Sequence, residues 1–170
     1  MDRLSREILK ELLPEEKELI PEVTSGQGRQ RIRAGNLDHW SPAVLLERAA
    51  YLRKLARHGD GSASETLKEY PQHYTMLAFR SRSGEGELHL NFADMFFILD
   101  GHATLTTGGE VVDAKTTAPG EMRGSSVKGG ISQELRVGDV VHIAAGIPHQ
   151  MLVADGNSVT YFVLKIQENP

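Results

Sequence analysis

The period of the apolar positions changes along the chain, and the change falls near residue 72. Upstream the spacing is helical. In "RLSREILKELL" the residues Leu4, Ile8, Leu12 and Leu13 recur at near-helical intervals until Pro14 ends the pattern. "SPAVLLERAAYLRKLARHG", residues 41–59, predicts a stronger helix. Ser41 is a natural N-cap, Pro42 suits the first helical position and Gly59 supplies a stop. Val44, Leu45, Tyr51, Leu52 and Leu55 give it an apolar face that must pack on something. Residues 21–36, rich in Gly, Gln and Arg, read as a loop, and "SETLKEY" predicts a short helical turn.

Downstream the period becomes that of strands broken by glycine: "HYTMLAFRSR", "GELHL", "DMFFILDGHATLTTG", "EVVDA", "ISQELRVGD", "VVHIAAG", "HQMLVAD" and "VTYFVLKIQ". Many short strands punctuated by turns predict an all-β sandwich or barrel. The expected organisation is a helical extension, residues 1–71, packed on a β-barrel, residues 72–170. The connection 113–130, "DAKTTAPGEMRGSSVKGG", is too long for a tight hairpin and is read as a functional flap or a contact arm. The absence of an internal repeat argues against two barrels on one chain.

Composition narrows the chemistry. The 170 residues suffice for one domain with a real core, and the net charge of −4 disfavours nonspecific binding to nucleic acid. The basic run "GRQRIRAG" at 28–35 reads as a solvated segment. No stretch approaches the ~18 apolar residues of a membrane span. "MDRLSREILKELL" carries charges throughout and lacks the apolar core of an export signal, so the expected location is cytoplasmic unless such a signal has been removed. The chain has no cysteine, which excludes disulfides, thiolate metal sites and cysteine nucleophiles. Any metal must be held by histidine nitrogen and carboxylate oxygen, a donor set that suits Mn, Fe, Co, Ni or Zn.

"GDVVHIAAGIPHQMLV", residues 138–153, resembles the second motif of the cupin superfamily, G-x5-P-x-G-x2-H-x3-N. Gly138, Gly146 and His149 match with every spacing intact, while Ala144 stands at the proline and Val153 at the asparagine. "GELHLNFADMFFILDG", residues 86–101, aligns with the first motif, G-x5-H-x-H-x3,4-E-x6-G. Asp94 with six residues before Gly101 fits its end, which makes His89 the second histidine and puts Glu87 in the place of the first. Ser81 replaces the leading glycine, and Asn91 lies too close to Asp94 to be the histidine position. The stretch "AD-x-FF-x-L-x-G" and the loop "APGE-x-RG" are similar to those of bacterial single-barrel cupins. The resemblance covers residues 73–166 and implies a cupin-type double-stranded β-helix, a jelly-roll barrel, behind the N-terminal helical extension.

The resemblance also implies a divalent transition metal held by Glu87, His89, Asp94 and His149. Glu87 and His89 alternate onto one face of a strand, so both can point into the barrel. Glu87 can instead be a catalytic base, and Asp94 can instead cap the turn. Phe96, sharing the face of Asp94, and Met151, sharing that of His149 with Val153, are candidates to bind substrate; Ile98 reads as core. Val141 and Ile143 should share the face opposite His142, which points that histidine away from the metal. His102 should be exposed, and His39, His58 and His73 have no ligand spacing. Tyr161 and Lys165 alternate along the last strand and can place a polar group in the pocket, without a face being assigned.

Two functions remain open: a metal-dependent enzyme on a small molecule (oxygenase, lyase or isomerase chemistry), or a non-catalytic barrel that binds a small ligand or serves a structural role. Open barrel edges, the helical arm and the 113–130 segment lead to the expectation of a homodimer. No nucleic-acid or membrane partner is expected.

Overall fold

In the computed structural model, residues 37–168 are described. The helix expected at residues 4–13 and the loop at 21–36 lie outside them. The helix expected after Ser41 forms as α1, Pro42–His58, with the Ser41 hydroxyl accepting from the Val44 amide at 3.3 Å. Gly59 ends it with an ordinary φ of −117°, and the left-handed reversal falls two residues later, at Gly61, φ 90°. Among the described residues, no helix is long and apolar enough to cross a membrane.

Twelve strands follow: β1 (Ser62–Tyr70), β2 (His73–Arg80), β3 (Gly86–His89), β4 (Phe92–Thr107), β5 (Glu110–Val112), β6 (Lys115–Ala118), β7 (Glu121–Gly124), β8 (Ser126–Lys128), β9 (Ile131–Arg136), β10 (Val140–Ile143), β11 (His149–Leu152) and β12 (Val159–Gln167). The pairings are antiparallel. The long strand β4 organises them. Its first half lies between β12 and β10, in a sheet that continues through β2 to β1. Its second half lies between β11 and β9, in a sheet that continues through β3 and β7 to β6. The strand passes from one sheet to the other at Gly101, φ 74°. A side chain there would overlap the Ser158 carbonyl, so the position needs glycine for both its angle and its space. The result is the jelly-roll barrel that the motifs imply.

The two faces of the first sheet are used differently because strand side chains alternate. Phe96, Ile98, Tyr161 and Val163 point inward and pack against Leu105, Leu135, Met151 and Val153 of the facing sheet. Leu77, Phe79 and Leu67 point outward and are covered by Leu45, Ala49, Leu52 and Ala56 of α1. Burying a side chain such as Leu52 contributes about 1.5–3 kcal/mol. Tyr51 and Leu55 flank this contact, but Val44 stands 44 % exposed, outside the buried stripe.

Two local expectations are corrected. "SETLKEY" is not a helical turn but most of β1. Its Glu, Leu and Lys favour helix in isolation, yet the backbone edge of β2 offers a full ladder of hydrogen bonds, with one shift between Thr66 and Lys68. Strand structure therefore begins at residue 62. The 113–130 segment is neither a detached flap nor an arm: it contains β6, β7 and β8, and β7 pairs along the whole of β3.

Candidate metal centre

Register brings the expected residues together. On one sheet His149 stands directly opposite Glu87, and Glu87 opposite Arg123, so the three share a face in a cross-strand row. His89, two residues beyond Glu87, faces the same way and stands opposite Glu121. On the other sheet Lys165 stands opposite Asp94. The second motif reaches the first through a backbone bond: the Gly146 amide donates to the His89 carbonyl at 2.7 Å, which seats the turn before His149 against the end of β3.

Ligand atoms of Glu87, His89 and His149 all lie within 4.8 Å of one another. Both histidines are buried and neither Nε2 makes a hydrogen bond, although Glu87 Oε2 lies 3.3 Å from that of His89. A buried polar atom left in this way is costly unless something fills the gap. The opposite ring nitrogens are both engaged. His149 Nδ1 lies 3.0 Å from the Ile147 carbonyl, and His89 Nδ1 meets the Glu121 carboxylate. Donation from each Nδ1–H leaves the Nε2 lone pair directed into the gap, the arrangement that orients imidazoles towards a metal. Two histidine nitrogens and a carboxylate, with their outer partners in place, fit a divalent transition ion.

Asp94 stands beside this group. Its Oδ2 is 3.5 Å from His89 Nε2 and 3.4 Å from His149 Nε2, while Lys165 Nζ lies 2.6 Å from Oδ1 and 2.8 Å from Oδ2. Burial by itself would raise the Asp94 carboxyl, but the His149 contact and the Lys165 charge outweigh it and hold it below its ordinary value. Glu87 behaves alike. Burial opposes its charge, yet the His89 contact and the Arg123 guanidinium, 2.6 Å away, hold it well below the usual carboxylate range. Arg80 adds a longer contact to Glu87 at 3.4 Å and donates from Nε to the Tyr161 hydroxyl at 3.0 Å. For His89, burial favours the neutral ring, but Glu87 leads the contacts that shift it upward.

These groups line a cavity of about 540 Å³. Phe96 and Met151, the expected substrate contacts, line it as well, with the Phe96 ring edge-on to His149 at 6.3 Å. Ile98 and Val153 are in the core. His142 and His102 are exposed, and His142 faces Glu168 outside the barrel while Ile143 is buried and Val141 packs on the core. His73 stacks on Tyr70, away from the site.

Three contributors, Glu121, Arg123 and Arg80, escape sequence reasoning, and a fourth, Lys165, is a candidate whose face stays open. Glu121 and Arg123 sit in the segment expected to be a flap or an arm, although their spacing of two already places them on one strand face. Arg80 ends an alternation through Met76 and Ala78 that lines the cavity. Lys165 has no face assigned by the sequence; its pairing opposite Asp94 turns it inward.

No family model matches this chain, and no curated protein matches it. Solved structures do. TT1209 from Thermus thermophilus is 15 % identical with a TM-score of 0.48, over 68 % of this chain and 93 % of that one. The polyketide cyclase RemF from Streptomyces resistomycificus is 15 % identical with a TM-score of 0.47, over 65 % and 68 %. A conserved protein with a double-stranded beta-helix domain from Klebsiella pneumoniae is 13 % identical with a TM-score of 0.47, over 64 % and 78 %. At this identity the likeness concerns the fold, and no residue role passes from those proteins to this chain.

Proposed function

We propose that this chain, which has the double-stranded β-helix fold of the cupin superfamily, binds a divalent transition metal through Glu87, His89 and His149 and is a metal-dependent enzyme acting on a small molecule. One observation carries the reading: two buried imidazoles, neither hydrogen-bonded at Nε2, and the Glu87 carboxylate have ligand atoms that all lie within 4.8 Å of one another. Glu87 is read as a ligand rather than a base, because a carboxylate held well below its ordinary range is a poor proton acceptor at neutral pH. Asp94, engaged by Lys165, is read as a charge partner of the two histidines rather than a fourth ligand.

When bound, such an ion supplies a Lewis acid that polarises a substrate oxygen. The chain supplies the rest. Glu121 and the Ile147 carbonyl orient the imidazoles, Phe96 and Met151 exclude water from the inner end of the cavity, and Lys165 presents an ammonium beside the histidines. Oxygenase, lyase and isomerase reactions all fit these parts. Elemental analysis of the purified protein tests the first step: one divalent ion per chain is expected, lost in His89→Ala and His149→Ala. An activity screen of the loaded protein with and without O₂ then separates oxygenase from non-redox chemistry. A second reading, a non-catalytic ligand-binding barrel, is favoured by the ion pairs that already engage Asp94 and Glu87, and it prevails if no metal is found.

The chain is further proposed to form a homodimer. Among the described residues, β9 and β10 each pair with β4 alone, and Ile131, Val137 and Val140 on or beside them are 80 %, 61 % and 58 % exposed. Light scattering at micromolar concentration should return twice the chain mass; a monomer excludes the pairing.

A further inference from the structure

The charges around the cavity point to the kind of molecule it receives. Around the candidate ligand set its lining carries three carboxylates, Glu87, Asp94 and Glu121, against three cations, Arg80, Arg123 and Lys165, while Asp60 is exposed at the rim and bonded to Ser62. With neutral histidines these charges balance. A divalent ion at Glu87, His89 and His149 leaves the site positive. Uncompensated charge in a partly buried site is costly, and an anionic ligand offsets it.

Arg123 is placed to meet that ligand. It follows Glu87 in the cross-strand row that begins at His149, so its guanidinium lies beside the ligand set on the same sheet face. Its side chain is 37 % exposed, whereas Glu87 is 15 % and Asp94 2 % exposed, which puts Arg123 on the solvent side of the row. One terminal nitrogen, Nη1, is spent on Glu87 Oε1. A guanidinium has five N–H donors in a fixed fork, which matches the two oxygens of a carboxylate. The inner cations are committed elsewhere, Lys165 to both oxygens of Asp94 and Arg80 to Tyr161 and Glu87.

Resting on the proposed metal centre, we infer that the substrate is a small organic carboxylate whose charged end is received by Arg123 while the remainder of the molecule extends towards Phe96 and Met151. Arg123 is thus a substrate-binding residue and not a metal ligand.

The experiment loads the full chain with Co(II) and titrates it with lactate and with lactamide, its neutral isostere, by calorimetry. Lactate is expected to bind at least about ten-fold tighter than lactamide, the scale of a charge-assisted contact. Arg123→Gln should abolish that preference while retaining Co(II), and Arg123→Lys should restore only part of it, because an ammonium lacks the fork. Equal binding of acid and amide to the loaded wild-type protein overturns the inference, and so does an unchanged preference in Arg123→Gln. Failure of the wild-type chain to take up Co(II) is a separate outcome, which removes the metal centre and the inference together.

Discussion

Lys165 and Asp94 face each other across β12 and β4, with the ammonium within 2.8 Å of both carboxylate oxygens, in a side-chain pair 11 % and 2 % exposed. The carboxylate that lies within 3.5 Å of the Nε2 atoms of both imidazoles is therefore already paired from the opposite side. Removing one member of a buried pair leaves an isolated charge, which costs about 3–5 kcal/mol. Lys165→Met should lower metal-free stability by about 3 kcal/mol in urea unfolding. The same change releases Asp94 towards the histidines, so Co(II) affinity should rise rather than fall. Adding Asp94→Asn should restore much of the metal-free stability.

Glu121 meets the candidate metal centre through His89 Nδ1. Glu121→Gln keeps an acceptor in place but removes its charge, and outer partners of metal-bound histidines are worth about 10–100-fold in affinity. Co(II) affinity should fall within that range, read by titration, with an unchanged far-ultraviolet circular dichroism spectrum.

The sheet-to-sheet passage at Gly101 predicts a severe substitution. Gly101→Ala combines a left-handed backbone with overlap of the Ser158 carbonyl. The loss should exceed the about 1–3 kcal/mol of conformational strain alone, seen as a large fall in the urea midpoint. Gly156→Ala is the control: it shares a positive φ of 80° but has open space around its Cβ, so it should cost only the strain.

An alkaline transition is expected from Tyr70. Its hydroxyl donates to Asp38 at 2.7 Å, and desolvation, then this hydrogen bond, push its pKa up to about 12. In the unfolded chain it ionises near about 10. A folded value above the unfolded one gives stability that is full below about pH 10 and lost as pH rises towards about 12. Thermal midpoints measured from about pH 9 to 12 should fall less steeply in Tyr70→Phe than in the wild-type protein.

Much of this architecture is legible because strands announce themselves locally. Alternation in "GELHL" places Glu87 and His89 on one face whatever the sheet around them, and the spacing from Asp94 to Gly101 records the bend in β4. The spacing from Gly146 to His149 reflects a turn that bonds directly to His89. "SETLKEY" misleads for the opposite reason: its residues have a local preference for helix, and an edge position in the sheet overrides it.

What the sequence by itself determined was the helix after Ser41 and the strands β2–β5 and β9–β12, since these rest on short-range periodicity, while the candidate ligand set of Glu87, His89, Asp94 and His149 came from the resemblance of two motifs. What only the tertiary structure decided was the partner of each of these groups. Lys165 meets Asp94 across seventy-one positions, Glu121 meets His89 across thirty-two, and Arg123 stands beside Glu87 because β7 chose the edge of β3. Register between distant strands settles such pairings, and register depends on the buried faces of both sheets at once.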